Sequence, residues 1–156
     1  MFESLISGFE AAFTFTNLAF IFAGITLGIV IGVIPGLGSV TAMAVLIPIT
    51  FYMSPLAAIA FLVGVNKGGT SGGAIPAILL NSPGTPEAAA SALDGYPMAQ
   101  KGEASRAFGA AFTCSAIGGI LGALILGLSL PLVRPLILSF ASPEFFMLGV
   151  LGLTMV

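Results

Sequence analysis

The residues with the most chemical potential lie between positions 66 and 97. Gly69-Thr70-Ser71-Gly72 matches the short Gly-x-Ser-Gly pattern of serine proteases that work inside membranes. Such a serine attacks a carbonyl only when a base takes its proton, and that base is normally histidine. The chain contains no histidine, and a lysine on a glycine-rich run, Lys67, is not placed as a base by its spacing. Metal chemistry fares no better, because the six carboxylates are scattered and there are no imidazole ligands. The pattern therefore predicts no enzyme, no catalytic residue, no metal site and no cofactor beyond a coupling ion.

Binding without chemistry fits these residues better. A short apolar run, 74–81, breaks at Asn81-Ser82-Pro83-Gly84 and restarts as a helix with Thr85 as N-cap, Pro86 at the first position and Glu87 in the first turn. Free N–H groups at such a restart attract an anion, while unwound carbonyls can hold a cation. The Thr85 hydroxyl, the Asn81 amide and the Ser82 hydroxyl flank the break. Lys67 is the only basic residue before position 101. A lysine in so apolar a setting is costly and points to function, unless it snorkels to the interface. The expected ligand-binding set is Lys67, Ser71, Gly72, Asn81, Ser82, Pro83, Gly84 and Thr85. Glu87 and Asp94 read as surface or capping residues.

Elements that position this set must sit in a bilayer. Of 156 residues 58% are apolar and only 6% charged, against about a quarter charged in soluble domains. Residues 11–66 and 107–133 carry no charge, and a crossing helix needs about 20 apolar residues. The expected fold is an all-α polytopic membrane protein, one transmembrane unit over 1–156. Spans fall at about 13–34, 40–65 and 107–130, with a re-entrant broken hairpin at 66–93 and the start of a further span at 144–156. An interfacial helix precedes them, with Phe2, Leu5, Ile6 and Phe9 on one face. Gly24, Gly28 and Gly32 form a close-packing seam in the first span, and glycines at 109, 118, 119, 122 and 127 do the same in the third. Pro35-Gly36-Leu37-Gly38 stops the first span, with Ser39 or Thr41 as the next cap; Pro48 and Pro55 kink or split the second. Residues 66–73 read as a loop, the restarted helix as ending at Asp94-Gly95, and 96–106 as a polar loop. Lysine and arginine in that loop place it in the cytoplasm, although Arg134 on the opposite side argues against this. Cys114 reads as a packing residue and, being alone, excludes an intrachain disulfide. Four basic residues exclude nucleic-acid binding. The N-terminus lacks the basic region of a cleaved signal peptide, and a final helix too short to span suggests a piece of something larger.

Two stretches, Gly-Gly-Ala-Ile-Pro-Ala-Ile-Leu-Leu-Asn-Ser-Pro-Gly-Thr-Pro (72–86) and Leu-Asp-Gly-Tyr-Pro-Met-Ala (93–99), resemble the signature of the large membrane subunit of the tripartite tricarboxylate transporters. Gly28-x-x-x-Gly32-x-x-Pro35-Gly36-Leu37-Gly38 and Ser142-Pro143-Glu144-Phe145-Phe146 are similar to its flanking motifs, so the likeness covers almost the whole chain. The resemblance implies a multi-pass subunit of the bacterial inner membrane that works with a small membrane subunit and a periplasmic substrate-binding protein. That protein delivers an organic carboxylate, citrate being the type case, and a sodium or proton gradient drives uptake. It also implies that this chain is about half of a repeat-built secondary transporter. The residues alone leave two alternatives: a channel or pore with a re-entrant loop, and a membrane scaffold that transports nothing.

Overall fold

The computed structural model describes the backbone of residues 2–155 and the side chains of residues 6–155. The side chains of Phe2 and Leu5, and Val156 of the expected last span, lie outside the described residues. Seven helices and no strand are present among the described residues: α1 (Phe2–Ala12), α2 (Phe15–Gly32), α3 (Ser39–Thr50), α4 (Pro55–Leu80), α5 (Ala88–Gln100), α6 (Ala104–Leu138) and α7 (Ser142–Thr154). Of these, α2 and α6 are long and apolar enough to cross a membrane. The chain forms two compact units, 1–115 and 116–156.

In the first unit, a short break separates α1 from α2. The Thr14 hydroxyl and the buried Asn17 amide both donate to Ala11 O, at 2.9 and 2.7 Å, and so satisfy a carbonyl at the end of α1. The unit is then built on glycine. On α2, Gly24, Gly28 and Gly32 lie against the backbone of Phe61, Val65 and Gly69 of α4. On α4, Gly64, Gly68 and Gly72 lie against the backbone of Ile21, Ile25 and Ile29 of α2. An added Cβ at Gly64 or Gly72 would stand 2.6 Å from a carbonyl oxygen of the facing helix, closer than any side chain tolerates. Numbers rise together on both helices, so α2 and α4 run parallel with their backbones in contact.

This packing corrects the loop expected at 66–73. Those residues are helical, part of a 26-residue α4. Each glycine weakens a helix by about 1 kcal/mol relative to alanine; here the cost is offset by the close approach that only glycine permits. The apolar run 74–81 is the end of the same element, with Asn81 as its C-cap. The expected span over 40–65 is split, one of the two outcomes read from its prolines: Pro55 is the first residue of α4. Ser54 caps it, accepting from Ala57 N–H at 3.4 Å. Pro48 stays inside α3.

Helix α3 returns antiparallel along α4. Ser39 packs on Gly69, and Ala42 and Leu46 cluster with Val65 and Phe61. Beyond the junction, Ala88 and Ala92 cluster with Ala77, and Gly95 meets Ile78. Gly95 therefore does not end the restarted helix. It is where α5 crosses α4, since an added Cβ would stand 2.8 Å from Ile78 Cγ1. Helix α5 runs on through Pro97 to Gln100, into the stretch expected as a loop. Helix α6 begins at Ala104, and its Ala107 joins Ala74 and Ile78 in a third small core.

The second unit holds the rest of α6, which continues through Pro131 and Pro135, and α7. Ala141 N–H donates to Glu144 Oε2 at 2.8 Å, which caps α7 as Ser142-Pro143-Glu144 suggests. At glycines 109, 118, 119, 122 and 127, read from the sequence as close-packing, the described residues make no such approach. An added Cβ at any of them meets nothing within 4 Å.

Candidate functional site

Two helix breaks far apart in sequence meet on one turn of α4. The first, Val33–Gly38, carries α2 into α3; the second, Asn81–Glu87, carries α4 into α5. Gly38 N–H donates to Gly84 O at 3.1 Å, and Gly84 N–H donates to Gly73 O at 3.2 Å. Gly84 also touches the backbone of Gly32. Three segments thus close on each other through main-chain contacts alone, and space explains the glycines. An added Cβ at Gly73 would stand 2.8–2.9 Å from Thr85 atoms, and one at Gly69 would stand 2.8 Å from Ser39 Cβ.

The consequence is electrostatic. Helix α3 leaves this level along α4 in one direction, starting beside Gly69. Helix α5 leaves it in the other, starting beside Gly73, one turn further along. Two helix N-termini therefore converge from opposite sides, each equivalent to about half a positive charge. No side chain caps α3: its N-cap is Gly38, at φ 50°, so neither Ser39 nor Thr41 takes the expected role. N–H groups of that first turn stay available for an anion. Ser39 is buried at the junction.

The expected ligand residues divide into three places. Asn81, Ser82, Pro83, Gly84 and Thr85 form the second break, as read from the sequence, with Asn81 exposed and Gly84 and Thr85 buried. Thr85 is 2% exposed and its hydroxyl accepts from Ala88 N–H at 3.4 Å, which closes the turn leading into α5; the N-cap of α5 is Glu87 and not Thr85 as expected. Ser82 N–H donates to Pro76 O at 3.2 Å. Gly72 belongs to the seam with α2. Ser71 lines a small polar cleft between α4, α5 and α6. Lys67 is not brought to the junction: it is exposed and lines an apolar groove between α2 and α4, beside Asn17 and Ile21.

Asn81 stands in the left-handed region, at φ 53° and ψ 30°, where it terminates α4. Glycine adopts that conformation freely, whereas other side chains lose about 1–2 kcal/mol. Asn81→Gly should therefore preserve thermal stability while Asn81→Ala lowers it.

Gly38, Ser39, Gly69 and Gly73 were not singled out as ligand-side residues by the sequence. The signal available was the shared Pro-Gly pair ahead of each new helix, Pro35-Gly36 and Pro83-Gly84. Nothing local states that the two pairs touch.

Comparison with known proteins supplies the context. Residues 18–156 match the model of the tripartite tricarboxylate transporter TctA family. The chain is 41% identical over 151 residues to a protein of Agrobacterium vitis described as an uncharacterized 52.8 kDa protein in the TAR-I ttuC' 3'region. That alignment takes in 97% of this chain and 30% of the relative, so the chain spans under a third of the relative's length. No solved structure matches it.

Proposed function

This chain belongs to the tripartite tricarboxylate transporter TctA family, and from that premise we propose that it is part of the large membrane subunit of an ion-gradient-driven carboxylate importer. The family is one of transporters, not of enzymes, and the two helices long and apolar enough to cross a bilayer support a membrane protein. The substrate is a tricarboxylate or a related organic carboxylate. A periplasmic substrate-binding protein delivers it, a small membrane subunit completes the assembly, and the site of action is the bacterial inner membrane.

The observation that carries this reading is the joined pair of helix breaks. A carboxylate held between the N-termini of α3 and α5 gains two favourable dipole ends and several main-chain donors, without needing a buried cation. Lodging the site on discontinuous helices also suits alternating access, because such breaks let one element move against another. In this reading the Asn81–Glu87 break and α5 are the element that moves, and the α2–α4 seam is the rigid support it moves against.

The test is uptake of labelled citrate by cells that express the complete subunit with its small subunit and binding protein. Saturable uptake that requires the binding protein and is competed by other tricarboxylates is expected. Ionic current through the membrane subunits alone, indifferent to the binding protein, would replace the carrier with a channel.

A further inference from the structure

We infer that α1 lies flat in the boundary of the bilayer, with Ile6, Phe9 and Phe13 among the lipid acyl chains, and anchors the start of α2 there. The inference rests on α2 crossing the membrane and not on what the transporter carries. Its residues are apart from the carboxylate junction.

Helix α1 presents a continuous apolar face. Ile6, Phe9 and Phe13 fall at i, i+3 and i+7, on one side of a helix. Phe13 keeps that register just past the end of α1, because its N–H still donates to Phe9 O at 3.1 Å. The Phe9 and Phe13 rings stack with their centroids 5.4 Å apart. With Ile6 they line a shallow apolar hollow, rimmed by Glu10. Among the described residues nothing covers it: residues 6–10 and Phe13 are all exposed, Phe9 by 70%. Water is a poor neighbour for three such side chains side by side.

The position of α1 selects lipid as the occupant. Helix α1 ends at Ala12, and α2, long and apolar enough to cross a membrane, begins at Phe15. The apolar face therefore reaches the point where the chain enters the hydrocarbon. Helix α1 cannot itself cross, since its 11 residues reach only about 16 Å, at 1.5 Å each, against a core of about 30 Å. Glu3 and Glu10 also bar it from the bilayer interior. Only the boundary suits both surfaces.

The bend between the helices ties α1 to α2. Thr14 is extended, at φ −64° and ψ 144°, and turns the chain there. The Thr14 hydroxyl and the Asn17 amide hold the bend through Ala11 O. Asn17 is a buried residue of α2, so a helix fixed in the boundary holds the beginning of α2 at that level. Charge adds a second expectation. Interfacial helices are typically rich in lysine and arginine and are drawn to anionic lipid. Helix α1 has two glutamates and no basic residue. Apolar burial alone holds it, so its placement should not depend on lipid charge.

The test uses the assembled transporter freed of every native cysteine. It is reconstituted in vesicles of phosphatidylcholine and, in parallel, of an equal mixture of phosphatidylcholine and phosphatidylglycerol. Nitroxide labels are placed one at a time through Ile6→Cys, Phe9→Cys, Phe13→Cys, Ser7→Cys and Gly8→Cys, exposed positions where substitution is tolerated. Collisions with molecular oxygen, which concentrates in hydrocarbon, are compared with collisions with a water-soluble nickel chelate. The oxygen-to-nickel ratio should be several-fold higher at positions 6, 9 and 13 than at 7 and 8, in both kinds of vesicle. Equal nickel access at all five positions would place α1 in water and overturn the inference. Labels at 6, 9 and 13 shielded from both reagents would place another protein in the hollow, with the same consequence. A contrast confined to the anionic vesicles would overturn it as well. No carboxylate enters the measurement, so the carboxylate reading stands or falls separately.

Discussion

Gly68→Ala should cripple the fold, although it adds only one methyl group. The new Cβ would stand 2.9 Å from the Cα and carbonyl carbon of Ile25 and closer still to its oxygen, all backbone atoms that cannot rotate away. Helices α2 and α4 would have to separate along a seam where Gly24, Gly28 and Gly32 also touch backbone. Overpacking a well-packed site costs about 1–3 kcal/mol and sometimes more; with backbone on both sides, the upper end or beyond is expected. Gly109→Ala is the matched control. It meets nothing within 4 Å, and removing a glycine from a helix interior gains about 0.5–1 kcal/mol. Thermal unfolding of the two purified variants should therefore move in opposite directions. Equal transitions would mean that the seam is not tight.

The second large effect concerns the junction itself. Gly84→Ala is expected to remove carboxylate uptake while leaving the protein assembled in the membrane. Gly84 is not needed for a left-handed backbone, since its φ is not positive. It is needed because an added Cβ would press on Gly32 O and stand 2.9 Å from Gly73 Cα. Relieving that clash moves the break away from α2 and α4 and pulls Gly84 O off Gly38 N–H. The two helix N-termini then no longer face one point. A displacement of this kind should weaken substrate binding about tenfold or more, at 1.4 kcal/mol per factor of ten. Normal membrane abundance with lost uptake is the expected pair of readouts. Normal uptake would show that the junction does not have to stay closed for transport.

The two predictions mark where the sequence was informative and where it was not. The breaks at Pro35-Gly36 and Asn81–Thr85, and the seam of α2, are visible because proline, glycine and four-residue spacing act locally. The helix through residues 66–73 was hidden by the same local logic. So many glycines lower helix propensity, and only the facing surface of α2 makes them favourable. A clue was present, since Gly64, Gly68 and Gly72 keep the spacing of Gly24, Gly28 and Gly32. Gly69 and Gly73 obscured it by adding a second face, the one that receives Ser39 and Thr85. The contact of Gly38 with Gly84 is a tertiary fact with no local trace. Lys67 drew attention by its charge, yet its groove is apart from the junction.

The central claim is that a carboxylate sits where the two breaks meet, and it can be tested by chemical protection. In the assembled transporter freed of every native cysteine, Cys114 among them, one cysteine is placed at half-buried Ser82 in one variant and at Tyr52, 94% exposed, in the other. The rate of modification by a small hydrophilic thiol reagent is then measured with and without citrate. Citrate should slow the reaction at Ser82→Cys and leave Tyr52→Cys unchanged. Modification of Ser82→Cys at the same rate with and without saturating citrate would contradict the account.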